Sequence, residues 1–400
     1  MADLAKRVGT TGAAFTALTS YQVINNVSEF PAAISNVITL LANTVYFISG
    51  DVDLVGDRLV GALNTCIIGG SSENASITST GLSVGVALFT TDYTTPIRHI
   101  TFKDVDTALD IDGSRSAQTP ALDWTGVNFL NVPNVGTIKD CSNWIFSKGA
   151  FLNSQGLDFD GTLGTIGIDN SIFSGDGTAG NILNVLSTAI ITRRFRPIYS
   201  SFVVFGSTVG ITVDVSATIP VQGYILDTIS FSGGGTYIAG VINTDNKSRF
   251  LSCTGITNSS EIGNFYMTAN ATETVIALVN TPTKVLGTTT PNTINQKFNH
   301  TDNRLTYIGA LKRDFQVSAN ASFFSGNNKK IGVYVALNGV VVASSEMYGT
   351  TDGNGRAESI ALQAIMGLDV NDYIEIWAEN ATNDDNVTFE YLNTICKALN

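Results

Sequence analysis

The stretch SSFVVFGSTVGITVD, residues 200–214, shows the pattern that decides the fold. A Phe near its start leads a short apolar run, a turn of small residues follows, and a second apolar run ends it. The stretch ISFSGGGTYIAGV (229–241) repeats this order, with its Phe 29 residues further on. Short runs of Val, Ile, Thr and Phe bounded by Gly, Asn and Asp are typical of β-strands. The sequence therefore predicts a series of short strand pairs.

The same loose repeat extends through the middle of the chain. Related stretches occupy 100–112, 127–139, 144–155, 171–184 and 248–258. The Phe residues that mark the repeat, spaced by 27, 17, 27, 29, 29 and 19 residues, are Phe102, Phe129, Phe146, Phe173, Phe202, Phe231 and Phe250. Such spacing predicts a parallel β-solenoid, in which stacked coils place Phe above Phe and Gly or Asn occupies the corners. A large β-sandwich is the alternative interpretation.

The composition indicates a globular all-β protein. Of its 400 residues, 44% are apolar and 9% aromatic, which excludes a disordered chain. The formal net charge of −12 repels phosphate backbones, so we expect no nucleic-acid partner. One tight basic cluster, Arg193, Arg194 and Arg196, is interpreted as a solvated loop or a set of local ion pairs. An anion site is the alternative.

The cysteines and the amino terminus bear on redox state and location. Cys66, Cys141, Cys253 and Cys396 lie far apart without a CxxC pair, so we expect reduced, buried thiols and neither a metal site nor a cofactor. The first residues lack the apolar run of a signal peptide, and polar residues interrupt the most apolar window, 32–48. We expect a protein made in the cytoplasm without membrane insertion.

After about residue 270 the pattern changes to successive antiparallel strands. Asn338-Gly339 separates two apolar strands and is a strong hairpin signal. Asn354-Gly355 and Asn371-Asp372 mark further turns. About 130 residues of this kind predict a sandwich or jelly roll.

The strand that follows Asn371-Asp372 has two unlike faces. In LDVNDYIEIWAEN (368–380), the small aliphatic residues alternate with Tyr373, Glu375 and Trp377. One face fits the interior of a sandwich, and the other carries two aromatic rings. Those rings are either half-exposed on a monomer or buried by another surface.

The entry into the solenoid region resembles a known architecture. The segment NTVYFISGDVDLVGDRLVGALNTCIIGG (43–70) ends on an x-I-x-G step, here 66–69. It resembles the first coils of the right-handed parallel β-helices of pectate lyases and phage tailspikes. The resemblance covers roughly residues 40–270.

The carboxyl-terminal part resembles the trimeric jelly rolls of the tumour necrosis factor and complement globular-head type, which also occur at the ends of viral fibres. The Asn338-Gly339 hairpin, RLTYIGALKRDFQVSA (304–319) and the 368–380 strand carry the resemblance. NTPTKVLG (280–287) is similar to strings in phage particle proteins. The resemblance implies a homotrimer. The interface residues that it implies are Tyr373, Trp377, Tyr307 and Tyr334. Glu375 then needs a partner such as Arg304 or Lys312, because burying it alone is costly.

These expectations combine into one organisation and one function. Residues 1–40 form an attachment or capping segment, residues 41–270 a parallel β-helix, and residues 271–400 a jelly-roll trimerisation head. We expect a structural bacteriophage virion protein, a homotrimeric spike or fibre mounted on tail or capsid. Its other partners would be virion proteins, contacted through the amino-terminal segment, and a host surface glycan. A cellular carbohydrate-binding adhesin is a further alternative.

The enzymatic alternative is a tailspike that depolymerises a surface glycan, because β-helix tailspikes often use Asp and Glu for this. The candidate acids are Asp104, Asp106, Asp110, Asp112, Asp158, Asp160 and Asp169. Strand alternation would place Asp104 beside Asp106, and Asp158 beside Asp160, where they could flank a sugar or hold Ca²⁺. The competing interpretation is that Asp beside Gly forms corners. His99 and His300 are interpreted as surface or capping residues, and we expect no enzyme.

Overall fold

The protein is described by a computed structural model covering residues 19–399, except 221–222, 241–246, 257–260, 311, 355 and 357–358. It divides into two compact units, Met1–Asn258 and Ser259–Asn400. The division therefore lies ahead of the boundary expected after residue 270. The predicted attachment function falls partly on residues 1–18, which lie outside the described residues.

The first unit is a stack of short parallel strands. In chain order they are β1 (Ser20–Ile24), β2 (Val37–Thr39), β3 (Thr44–Ile48), β4 (Asp51–Asp53), β5 (Arg58–Val60), β6 (Cys66–Gly69), β7 (Ser76–Thr78), β8 (Ala87–Thr91), β9 (Ile97–Lys103), β10 (Thr107–Asp112), β11 (Ala121–Leu130), β12 (Asn134–Lys139), β13 (Asn143–Ser147), β14 (Ala150–Leu152), β15 (Leu157–Asp160), β16 (Thr162–Asp169), β17 (Ile172–Ser174), β18 (Gly180–Val185), β19 (Ile190–Ile198), β20 (Ser201–Val204), β21 (Thr208–Val213), β22 (Ile225–Asp227), β23 (Ser230–Gly233), β24 (Thr236–Gly240) and β25 (Arg249–Leu251).

Each coil adds a strand to three columns, which confirms the solenoid prediction. Column 1 runs β1-β3-β6-β9-β11-β13-β16-β19-β22-β25, and column 2 runs β2-β5-β8-β10-β12-β15-β18-β21-β24. Column 3 comprises β4, β7, β14, β17, β20 and β23, and it joins column 1 through the long strands β9 and β11. β1 pairs in parallel with β3, so the solenoid begins inside the segment that was expected to be an attachment or cap.

A column of aromatic rings fills the interior behind column 3. Cα register places Phe102, Phe129, Phe151, Phe173, Phe202 and Phe231 one above the next. The rings of Phe173 and Phe202 are stacked with centroids 4.5 Å apart. The prediction of stacked Phe is confirmed, but two members were assigned to the wrong column. Phe146 pairs with Trp124 and Phe250 with Leu226, both in column 1, because the coils differ in length.

Residues in the left-handed backbone region form the corners, as predicted. Asp104, Asn131 and Asn153 have φ values of 54°, 55° and 52°. Their side chains are linked in a ladder, with Asn153 donating to Asn131 at 3.0 Å and Asn131 donating to Asp104 at 2.8 Å. Asn and Asp tolerate this conformation because their short polar side chains hydrogen-bond locally. The ladder therefore fixes the corner of successive coils.

The second unit is antiparallel. Its strands are β26 (Ile262–Met267), β27 (Glu273–Thr274), β28 (Thr283–Lys284), β29 (Thr290–Pro291), β30 (Phe298–Thr301), β31 (Arg304–Tyr307), β32 (Arg313–Phe324), β33 (Lys330–Leu337), β34 (Val340–Val341), β35 (Met347–Thr350), β36 (Ile360–Leu368), β37 (Tyr373–Asn380) and β38 (Val387–Ala398). A six-stranded sheet has the order β29-β26-β38-β32-β36, with β27 on β38. A seven-stranded sheet has the order β30-β31-β37-β33-β34, with β28 on β37 and β35 on β33.

The two sheets enclose one apolar core, so the predicted sandwich is confirmed. Ile374, Ile376 and Ala378 point into that core, as the alternation in the sequence predicted. Asn338 and Gly339, with φ of 53° and 77°, form the tight turn between β33 and β34. The predicted Asn371-Asp372 turn leads into β37, whereas Gly355 lies outside the described residues.

Helix is a minor feature of the fold. The described residues contain short 3₁₀ helices at Val27–Glu29, Gly113–Arg115 and Ala343–Ser345. Among those residues, no helix has the length and apolar character needed to cross a bilayer.

Candidate subunit interface and candidate catalytic acids

The outer face of the seven-stranded sheet carries a charged network centred on Glu375. This carboxylate is 1% exposed. It accepts from Arg304 Nε at 2.8 Å, from Trp377 Nε1 at 3.0 Å, and lies 2.9 Å from Lys284 Nζ. Burial alone would raise the pKa of Glu375, but hydrogen bonds from Lys284, Trp377 and Arg304 hold it below its usual value. The predicted partnership with Arg304 is confirmed, while Lys312 pairs with Asp369 instead.

The four residues expected at a trimer interface do not share one open surface. Tyr307 is fully buried in the sandwich core, so its place in an interface was a wrong prediction. Tyr334 is 5% exposed and donates to Glu346 at 3.0 Å, so its own chain already covers it. Tyr373 and Trp377 are partly exposed on the outer face. Their role at an interface stays a prediction.

Tyr373 is also engaged within its own chain. The Arg304 guanidinium lies over the Tyr373 ring, 3.9 Å from its centroid. A cation in this position is attracted by the negative face of the ring. The outer face of β37 is therefore largely satisfied by side chains of the same molecule.

The outer face of the six-stranded sheet is different, because it carries little charge and leaves large apolar side chains exposed. Cross-strand register assembles three rows of outward side chains on β26, β38, β32 and β36. These rows are Ile262–Lys397–Gln316–Ile365, Asn264–Ile395–Ser318–Gln363 and Tyr266–Asn393–Asn320–Ala361. Tyr391 follows beside Ser322. Lys397 carries the one formal charge among these residues.

Large apolar side chains on this face are strongly exposed. The exposed fractions are 38% for Tyr266, 47% for Tyr391, 40% for Ile395 and 68% for Ile365. A groove of about 540 Å³ runs along the face and is lined by Tyr266, Tyr391 and Ile395 among others. Large apolar side chains exposed together on one sheet face make that face a candidate interaction site. We call it the neutral face.

Sequence reasoning missed the neutral face although a signal was present. In VTFEYLNTICKA (387–398), Leu392 and Cys396 alternate with Tyr391 and Ile395, so both sets look apolar. When both faces of a strand are apolar, we expect both faces to be buried against other parts of the protein or against a partner.

The candidate acids occupy three different settings. Asp158 and Asp160 lie on one outward face of β15, as predicted. Asp104 and Asp106 do not share a strand face, because both lie in the turn between β9 and β10 and Asp104 belongs to the corner ladder. That pairing was a wrong prediction, and the competing interpretation as corner residues is correct for Asp104.

Two of the remaining acids pair with an arginine of their own chain. Asp110 pairs with Arg115 at 2.9 Å, and Asp112 lies 3.5 Å from the same guanidinium. Asp169 ends β16. Within the described residues, no group of three His, Cys, Asp or Glu side chains is arranged to hold a metal ion.

Asp158 is the acid with the most distinctive environment. Burial raises its pKa, a hydrogen bond from Asn184 at 2.9 Å opposes that rise, and the charge of Asp160 adds to it. Perturbed carboxyls are candidates for acid or base roles. Asp160 accepts from the amide of Gly161 at 2.7 Å and from the hydroxyl of Thr188.

The two histidines and the four cysteines are the other candidate reactive side chains. His99 is exposed on β9, and His300 Nε2 lies 2.8 Å from the Thr289 hydroxyl. All four cysteines are free and buried, as predicted. Burial raises the pKa of Cys66 and Cys141 to about 12, which suppresses thiolate formation.

The basic cluster lies on a strand, so its assignment to a loop was wrong. Arg193, Arg194 and Arg196 belong to β19, next to a register shift between Leu163 and Thr165 of β16. Arg193 and Arg194 are exposed, and Arg196 is partly buried.

Comparison with known proteins gives structural matches alone. No family model matches the sequence, and no curated protein matches it. Murine APRIL is similar at 9% identity over 34% of this chain and 99% of that chain, with a TM-score of 0.26. The PRD1 vertex protein P5 is similar at 10% identity over 36% and 100% of the two chains, with a TM-score of 0.24.

A third match extends over most of the chain. Tailspike protein 2 of the Escherichia coli O157:H7 bacteriophage CAB120 is similar at 10% identity over 86% of this chain, with a TM-score of 0.26. The match covers 64% of the tailspike chain. Scores of this size carry no functional argument, because a shared fold does not imply a shared function.

Proposed function

We propose that this protein is a structural component of a bacteriophage virion, a homotrimeric spike or fibre mounted on the tail or the capsid. The observation that carries the proposal is the neutral face, an open sheet surface with few charges and several large exposed apolar side chains. The continuous β-helix with its buried aromatic column supports a mechanical role, because each coil is held by its neighbours.

The chemistry of the neutral face favours further copies of this chain as its occupant. The rows that form it are nearly free of charge, so identical surfaces can approach each other without repulsion. Its Asn and Ser side chains both donate and accept hydrogen bonds, which suits a self-complementary contact. Covering its apolar area stabilises the assembly by about 25 cal/mol per Å².

The other partners follow from this role. The amino-terminal segment contacts other virion proteins, and exposed loops of the β-helix contact a glycan of the host surface. The site of the protein would be the virion. Immunogold labelling of a native particle with antibodies against this chain tests that location.

The experiment that tests the assembly is the mass of the full chain in solution at neutral pH, measured by light scattering. A trimer has three times the chain mass of 42.3 kDa. A stable monomer across micromolar concentrations would contradict the proposal. Replacing Tyr391 and Ile395 of the neutral face with Glu shows whether this surface holds the trimer together.

A second candidate function is glycan depolymerisation, which the environment of Asp158 favours. A partly buried carboxyl with a raised pKa beside the second carboxyl of Asp160 is the type of pair that acid catalysis uses. Incubating the protein with host capsule or lipopolysaccharide and measuring new reducing ends tests this activity. Release that disappears in Asp158→Asn, but persists in Asp110→Asn, would establish the enzyme. No release would leave the structural role alone.

A further inference from the structure

Three arginines lie close together on the outer side of column 1, on β19. The side chains of Arg193, Arg194 and Arg196 make no ion pair with any described residue. The Nε of Arg196 is buried and has no hydrogen-bond acceptor within the described part of the chain. The nearest acids on that face, Asp169 and Asp227, are in register with Ile198 and form no ion pair with these arginines.

Two carboxylates on the outer side of column 2 have no cationic partner among the described residues. Asp158 and Asp160 accept hydrogen bonds from neutral groups only, and no cation of the described residues lies within ion-pair distance of either. Lys139 is in register with Asp160 but pairs with Asp112 at 3.9 Å. Burial raises the pKa of Asp158, so its ionised form would gain from a nearby cation.

The two groups lie at almost the same level of the solenoid but on different columns. The strand that carries the acids, β15, leads through Gly161 directly into β16. β16 pairs with β19, with Thr165 opposite Arg194 and Gly167 opposite Arg196. Adjacent rungs of a sheet are about 4.8 Å apart. The acids and the arginines are thus one rung apart along the stack. The acids point outward from column 2, and the arginines point outward from column 1.

We propose that Arg194 and Arg196 of one copy pair with Asp158 and Asp160 of a second copy in a parallel trimer. This inference rests on the proposed homotrimer. A threefold rotation about an axis along the stack keeps every rung at its height, so long charged side chains one rung apart on different columns can meet between copies. Such a contact is heterologous and closes into a ring after three copies. It pairs guanidinium and carboxylate groups that form no ion pair among the described residues of one copy.

Charge reversal tests the pairing in the full chain. We expect Arg194→Glu with Arg196→Glu to raise the trimer dissociation constant, measured by sedimentation, by at least about tenfold. The matched control, Arg194→Lys with Arg196→Lys, keeps the charge and should stay within about threefold of wild type. Adding Asp158→Arg and Asp160→Arg to the reversed pair should restore association. A reversed variant that associates like wild type would overturn the inference.

Engineered disulfides keep the test independent of folding effects. The double variant Arg196→Cys, Asp158→Cys should yield covalent trimers on a denaturing gel after mild oxidation, because each copy would link to both neighbours. Either single variant should yield monomers, since the natural cysteines are buried. Trimers by light scattering without covalent trimers on the gel would overturn this pairing alone. Wild-type monomers by light scattering would overturn the trimer and the pairing together.

Discussion

Arg304 contacts the buried carboxylate of Glu375 through two nitrogens, with Nε at 2.8 Å and Nη2 at 2.7 Å from the same oxygen. The same guanidinium covers the ring of Tyr373. One arginine therefore stabilises both an acid and an aromatic ring on β37. This explains how the seven-stranded sheet presents aromatic residues outward without leaving a buried charge unpaired.

Replacing Glu375 with Gln should destabilise the protein by about 2 kcal/mol at pH 7, because Lys284 and Arg304 lose their shared anion. We place the value below that of a fully buried pair, since the two cations are 30% and 36% exposed. Chemical denaturation measures it. The control Asp369→Asn removes an exposed ion pair to Lys312 and should cost less than about 1 kcal/mol.

The same variant should change the pH dependence of stability. The folded state holds the pKa of Glu375 below its ordinary value of 4.5. Its contribution is therefore present above pH 4.5 and is lost as the pH falls through the lowered folded pKa. The difference in unfolding free energy between wild type and Glu375→Gln should shrink over that range. A difference that stays constant on acidification would contradict the assigned ion network.

Replacing Phe173 with Ala should cost about 3–5 kcal/mol, because it opens a cavity in the aromatic column. Phe173 has its ring centroid 4.5 Å from that of Phe202 and 4.9 Å from that of Phe151. The neighbouring Ile172 points outward and is 52% exposed, so Ile172→Ala is the matched control and should cost less than about 1 kcal/mol. Equal losses for the two variants would show that the column is not the core.

Replacing Gly164 with Ala should cost about 2 kcal/mol through overpacking. A Cβ at this position would lie 1.7 Å from the carbonyl oxygen of Ser142 on the adjacent coil, so the backbone must shift. Gly50→Ala is the control, because a Cβ there meets nothing within 4 Å. Thermal unfolding of the two variants provides the comparison. A Gly164→Ala protein as stable as Gly50→Ala would show that the coils are not this closely stacked.

Charging the neutral face should dissociate the assembly while leaving the fold intact. Tyr391→Glu with Ile395→Glu places two carboxylates where apolar contacts between copies are proposed, and burying unpaired charge is costly. We expect monomers by light scattering with an unchanged circular dichroism spectrum. Val340→Glu, at a side chain 69% exposed on the β33–β34 hairpin, is the control and should stay trimeric. Trimers in the double variant would place the interface elsewhere.

Much of the fold could be predicted from local pattern. The Phe repeat indicated stacked coils, and Asn338-Gly339 indicated the hairpin, because strand alternation and turn chemistry involve neighbouring residues. The column to which each Phe belongs could not be predicted. Phe146 and Phe151 are five positions apart in sequence. Only the coil lengths decide that Phe151, and not Phe146, is in register with Phe173 in the aromatic column.

The sequence by itself determined that this chain forms parallel coils followed by an antiparallel sandwich, and that Glu375 needs a cation. Tertiary structure decided which outward faces are already covered. Tyr307 and Tyr334 were expected at an interface, but side chains of the same unit bury them, whereas Tyr391 and Ile395 are left open. The reason is physical: alternation assigns a side chain to a face, but coverage of that face depends on contacts between distant segments.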